Sequence, residues 1–264
     1  MKAWTSMVLL IALLQGCATQ LAPRPGFAPQ DADAAPEAVE LRFQHSFIAP
    51  TGDAAVMAPE ELQPGDILLT SMSSLRSAAI RLMTFAPVSH VAVYIGDRQV
   101  VEAVGSGVRV RGIDELLGEE TVVLAFRYPD LSAEQARNIK DYALKKSGTG
   151  FNYLGVTLQI PLSISRRLCE LPLVPSALRD ACIRSMGVIS QMAASESRLF
   201  CSQFVLQAYR HAEVPMTDAD SRLISPADIL HMREGDVPSV RIHRQLRYAG
   251  HLKYPSPMIV ALQR

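Results

Sequence analysis

Residues 89–112 read SHVAVYIGDRQVVEAVGSGVRVRG, and no other stretch of the chain constrains its fold as strongly. β-Branched residues recur there around two turn signals, Gly96-Asp97 and Gly105-Ser106-Gly107, which predicts an antiparallel meander of three strands. Upstream, VELRFQHSFIA reads as a strand, and PGDILLTS predicts a turn followed by a fully apolar strand over 66–70. Ser74 is a suitable N-cap for a helix running through Phe85. Downstream come a short helical turn in GIDELLG, a strand in TVVLAFRY and a helix in LSAEQARNIKDYALKKSG, ending at Gly148 with Lys145 and Lys146 in its last turn. RLFCSQFVLQAYRHA predicts a helix with Cys201 in its first turn, and SPADIL a capped short helix. Residues 154–198 mix apolar runs with prolines and are read as mostly helical; strands are expected over 238–247 and 257–263. Antiparallel strands and segregated helices in this order make an α+β fold.

The N-terminus precedes any fold. Lys2 and the apolar run from Met7 to Leu14 form a signal peptide over residues 1–16, too short to span a bilayer. Leu14-Gln15-Gly16-Cys17 then matches a lipobox, so Cys17 is expected to carry lipid and to become the new N-terminus. Ala18 in place of an acidic residue after Cys17 points to the outer membrane, facing the periplasm. Residues 17–40, rich in Ala, Pro and Asp without apolar periodicity, are expected to be a disordered tether. That leaves 41–264 as one folded domain with an insertion at about 154–198. Lys plus Arg and Asp plus Glu number 26 each without a dense basic run, so electrostatics give no case for nucleic acid.

Four cysteines in an exported chain can be sorted by role. Cys17 goes to lipid. Cys169 and Cys182 are spaced to close a local loop as a disulfide. Cys201 is left odd, and a free thiol in an oxidising compartment is easiest to understand if its reactivity is used. Its position at a helix start favours the thiolate. Six histidines could serve as its base. His211 is too far along the same helix, His251 sits in a Gly-flanked turn, His45 is near the tether, and His231 and His243 have no carboxylate at an arguable spacing. His90 opens a buried strand. With a three-residue loop over Gly96–Arg98, Ala92 lies opposite Glu102, and His90 and Glu102 share a face as diagonal neighbours. A two-residue loop would place Glu102 on the other face, and a structural histidine beside a solvated Glu is the alternative reading.

PGDILLT, SHVAVYIGD, VVEAV, FCSQFV and ISPADIL, in this order, are similar to the permuted papain-like amidases of the YaeF/YiiX group, relatives of the NlpC-like cell-wall cysteine peptidases. The resemblance covers about residues 62–230. It implies a circularly permuted papain-like (NlpC-like) α+β core, with a small antiparallel sheet carrying the base packed against the nucleophile helix. In such a permuted chain the histidine and its acidic partner precede the cysteine, and His90, Glu102 and Cys201 match that order. The chain departs from the family's Tyr-Asp pair after the glycine that ends the middle helix, reading Gly150-Phe151-Asn152-Tyr153.

The expected activity is acyl transfer to water. Cys201 attacks an amide carbonyl, His90 protonates the leaving group, Glu102 orients His90, and the Cys201 N–H is the natural oxyanion donor. A cell-wall peptide or a lipid-linked amide is the expected substrate, the membrane is met through the lipidated N-terminus, and a monomer without cofactor or metal is expected. Two alternatives accompany this reading: an acyltransferase using the same thioester, and a non-enzymatic envelope protein that binds lipid or a partner.

Overall fold

The meander forms one half of a six-stranded antiparallel sheet and ends at its edge. The computed structural model describes residues 19–23, 39–44, 56–71, 88–151, 178, 181–182, 185 and 198–254. The sheet is built from β3 (Ile67–Ser71), β4 (His90–Gly96), β5 (Gln99–Val104), β6 (Gly107–Gly112), β7 (Val122–Arg127) and β10 (Arg247–Lys253), in the order β10-β7-β3-β4-β5-β6. Among the described residues, α1 (Ile113–Glu119), α2 (Ala133–Lys146), α3 (Cys201–His211) and α4 (Pro226–Leu230) accompany it. The class is α+β.

Alternation along the strands divides the core in two. Ile67, Leu69, Val91, Val93, Val101 and Phe126 face α2 and α3, where Ile139, Ala143, Phe204, Val205 and Ala208 complete the larger cluster. Leu68, Ala92, Tyr94, Val100 and Ala125 face the other way and are covered by Ile113 and Leu116 of α1 with Met57 and Leu62. Sequence caps fix the helix starts: Ser132 accepts from the Gln135 N–H at α2, and Ser225 from that of Asp228 at α4.

The edge at β6 is closed by the chain leaving α2, since Val108 N–H donates to Thr149 O and Gly148 N–H to Val108 O. Gly107 is needed there on two grounds: its φ is +117°, and a Cβ would lie 2.5 Å from Thr149 O. Next along the chain, β8 (Gly150–Phe151) pairs in parallel with β9 (Arg198–Leu199), which leads directly into α3. The end of α2 therefore sets where α3 begins.

Three expectations are corrected. The β4–β5 loop has two residues, not three: Asp97 and Arg98, at φ 54° and 56°, form the turn, and Gly96 pairs with Gln99. Ile95 then bulges out of the ladder between Tyr94 and Gly96, which restores Ala92 opposite Glu102. The C-terminal strand is Arg247–Lys253, whereas 238–246 carries only isolated bridges at Ile242 and Leu246. His251 thus lies within β10 rather than in a turn. Lastly, the segment expected to be a disordered tether over 17–40 carries a strand at each end. Here β1 (Thr19–Pro23) pairs antiparallel with β2 (Val39–Phe43), backbone pairing having overridden an unfavourable composition. The helix expected over 74–85, the strand over 257–263 and most of 154–197 lie outside the described residues.

Candidate active site

Cys201 is the first residue of α3, and its N-cap, Phe200, makes no side-chain cap bond. An apolar cap leaves the first N–H groups of a helix to other acceptors, at the positive end of the dipole. Phe204, Val205, Ala208 and Tyr209 bury the helix, and α3 packs on β4 and β5. Two bonds pin it: Ser202 Oγ donates to Ile224 O at 2.5 Å, and the buried Tyr209 hydroxyl donates to Gly65 O. Ser202 and Gln203, which follow Cys201, are both buried.

His90 opens β4, and its imidazole is close enough to the Cys201 side chain for the two to interact electrostatically. Its Nε2 lies 2.8 Å from Glu102 Oε2, so Nδ1 is the nitrogen left for sulfur. Burial opposes a charged imidazole, yet the Cys201 sulfur and Glu102 outweigh it and raise the His90 pKa to about 10. Glu102 is wholly buried. Burial pushes its carboxyl up, but His90, Arg111 and Arg109 overcome this and bring it down to about 2. The structure thus brings together Cys201, free of any disulfide, an imidazole whose pKa is raised and a buried carboxylate whose pKa is lowered.

The sequence reading missed the clamp behind Glu102. Arg109 Nε donates to Glu102 Oε1 at 2.9 Å, and Arg111 Nη2 to Oε2 at 3.2 Å. Arg111 Nε is 2.8 Å from Oε1 but too poorly aligned to complete a hydrogen bond. Arg111 also donates to Glu119 Oε2 at 2.6 Å and lies 3.7 Å from Glu120 Oε1. Glu120 is a second buried carboxyl, raised by its burial although His90, Thr70 and Arg111 pull it down. Neither Thr70 Oγ1 nor Glu120 Oε2 completes a hydrogen bond among the described residues. The signal for the clamp was present in VRVRG: alternation puts Arg109 and Arg111 on one face of β6, and the hairpin places Arg109 opposite Glu102.

Of the other histidines, two gain carboxylate partners that spacing did not reveal. His231 Nδ1 lies 2.9 Å from Asp236 Oδ2, and His243 Nε2 lies 3.0 Å from Asp218 Oδ1. Neither contacts a thiol among the described residues; His211 packs on the Tyr142 ring at the far end of α3. Cys201 is free, whereas Cys182 is disulfide-bonded. Cys17 and Cys169 lie outside the described residues. Among the described residues, no group of three or more His, Cys, Asp or Glu side chains could hold a metal ion, and no helix is long and apolar enough to cross a membrane.

No family model matches the chain. Among curated proteins it is similar to the "Probable lipoprotein peptidase YaeF" of Escherichia coli strain K12, 36% identical over 245 residues, covering 91% of this chain and 89% of the relative. Among solved structures it matches the crystal structure of the metalloprotein YiiX from Escherichia coli O157:H7. That match has 18% identity and a TM-score of 0.43, and covers 74% of this chain and 99% of the other.

Proposed function

This chain belongs to the family of the probable lipoprotein peptidase YaeF, and from that premise we propose that it is an envelope lipoprotein hydrolase cleaving an amide through Cys201, His90 and Glu102. The observation that carries the reading is the free Cys201 at the start of α3, beside a His90 whose Nε2 is held 2.8 Å from a buried carboxylate.

The steps follow from that arrangement. The Cys201 thiolate attacks the amide carbon, and the negative charge forming on oxygen is met by the Cys201 N–H at the uncapped helix start. As the C–N bond breaks, His90 gives its proton to the leaving amine, which departs neutral and leaves a thioester on Cys201. Water then attacks the thioester with His90 as base, releasing the acid and the thiol. Glu102 holds the ring orientation and stabilises the imidazolium in each half-cycle. The substrate class is a cell-wall peptide or a lipid-linked amide. The core is read as a circularly permuted papain-like fold, with Cys17 lipidated at the outer membrane and Cys169 bridged to Cys182.

The test is to treat the mature protein at neutral pH with a thiol-directed acylating probe, map the adduct by mass spectrometry, and assay cell-wall peptides and N-acyl lipids as substrates. Selective acylation of Cys201 with turnover of one amide class is expected. Acylation at Cys201 with transfer to an added amine in preference to water would reassign the protein as an acyltransferase. A thiol that reacts only after denaturation would leave the binding-protein reading.

A further inference from the structure

The covalent path from the lipid anchor to the folded domain is far shorter than the sequence suggests. As a flexible chain, the roughly 27 residues from Cys17 to Gln44 would span about 30 Å on average, and up to about 90 Å if extended. A domain on such a leash faces the bilayer in any orientation.

The pairing of β1 with β2 removes that freedom. Thr19, two residues after Cys17, lies directly opposite Phe43, and Gln44 follows next in the chain. Gln44 is itself fastened to the domain: its Nε2 donates to Val237 O at 2.9 Å and to Ser239 Oγ at 3.0 Å. Two residues reach at most about 7 Å and paired strands stand about 5 Å apart. With one further step from Phe43 to Gln44 and the cysteine side chain itself, the sulfur of Cys17 is within about 20 Å of Gln44. The domain side of this junction is rigid, since Asp236 Oδ1 accepts from Val237 N–H and Val240 is buried in the core that holds Phe204 and Val205 of α3.

We propose that the Thr19–Phe43 pairing and the Gln44 staple hold the lipidated N-terminus against residues 237–239, so that this surface, on the α3 side of the sheet, faces the bilayer, while α1 on the opposite side points away. The proposal rests on lipidation of Cys17. It adds an orientation: the layer that carries the nucleophile helix is the one nearest the membrane, and substrates presented at the bilayer surface are within its reach.

The experiment uses the full lipidated protein in vesicles of phosphatidylethanolamine and phosphatidylglycerol carrying a headgroup nitroxide. A genetically encoded fluorescent residue is placed at exposed Arg241, two residues past Ser239, or at exposed Glu115 on α1. Strong quenching at position 241, little at 115, and loss of the difference in Gln44→Ala are expected. Equal quenching at both positions, or a difference that survives Gln44→Ala, would overturn the proposal while leaving lipidation intact. A wild-type protein whose Cys17 carries no lipid by mass spectrometry removes the anchor and the proposal together, without touching the Cys201 chemistry. Gln44 lies outside the candidate active site, so probe labelling at Cys201 is expected to be unchanged in Gln44→Ala and reports that the variant is folded.

Discussion

His90 and Glu102 meet at 2.8 Å because Ile95 bulges out of the ladder between them and the turn. A two-residue turn without the bulge would carry Glu102 to the opposite face of the sheet, away from the imidazole. The bulge converts a hairpin of the wrong register into one that joins base and carboxylate, in keeping with the frequency of bulges beside active sites.

Removing the carboxylate while keeping its shape isolates its charge. Glu102→Gln is expected to lower kcat by roughly 10²-fold, less than loss of Cys201 or His90, because the amide still accepts a hydrogen bond but no longer stabilises imidazolium. The alkaline limb of the rate profile should move to lower pH. Rates across pH, with circular dichroism to confirm folding, check both. An unchanged limb would place the orienting group elsewhere.

The pH window follows from the two shifts. His90 is raised to about 10, so its contribution to stability is fully present below its ordinary value near 6.5 and is lost as pH rises through about 10. Glu102 is lowered to about 2, so its contribution is present above its ordinary value near 4.5 and is lost as pH falls toward 2. In Cys201→Ala the sulfur that helps hold the proton on His90 is gone, and the imidazole should titrate at lower pH by NMR. A His90 titration unmoved by that substitution would contradict the thiol–imidazole contact.

The clamp behind Glu102 should matter unequally. The Arg111 side chain is 3% exposed and touches three carboxylates, so Arg111→Met leaves buried charge without compensation and is expected to cost about 3–5 kcal/mol. Arg109 is 39% exposed, and Arg109→Ala should cost under about 1 kcal/mol after solvent screening. Urea unfolding of the two variants checks the order, and a reversed order would contradict the burial argument.

Much of this arrangement was legible in sequence, for stated physical reasons. Strict alternation in 89–112 gave the meander, and the capped SPADIL segment marked a helix start that the structure keeps at Ser225. Cys201 at a helix head and His90 at a strand head could be read from local pattern alone. The bulge at Ile95 could not, because it depends on how β4 and β5 settle together. The roles of Arg109 and Arg111 could not be read locally, because they depend on Glu102 across the hairpin and, for Arg111, on Glu119 and Glu120 at the end of α1. Strand β10 was misplaced because Gly250 and Lys253 carry little strand signal; Tyr248 is held by its ring against Phe126. The β1–β2 pairing escaped because its two strands lie at opposite ends of a Pro- and Ala-rich stretch.

Cys182 is bridged while Cys201 is free, so the two cysteines stand in different states. Peptide mapping without reduction is expected to recover Cys169 joined to Cys182. Cys182→Ser should lower stability by up to about 3 kcal/mol without abolishing labelling of Cys201. Recovery of Cys182 joined to Cys17 would contradict the lipid anchor instead.

The anchor itself has a simple readout. Cys17→Ser should release the protein from the membrane fraction with Cys201 still reactive. Continued membrane association would mean that another element holds it there.

The dependence of Cys201 acylation on His90 tests the central claim most directly. The second-order rate of acylation by an amide-mimicking probe at neutral pH, compared between wild type and His90→Ala, should fall by roughly 10²-fold or more, because the thiolate loses its counter-charge and the leaving group its acid. Equal acylation rates in the two folded proteins would show that Cys201 reacts without His90, and the pair would then not be a catalytic unit.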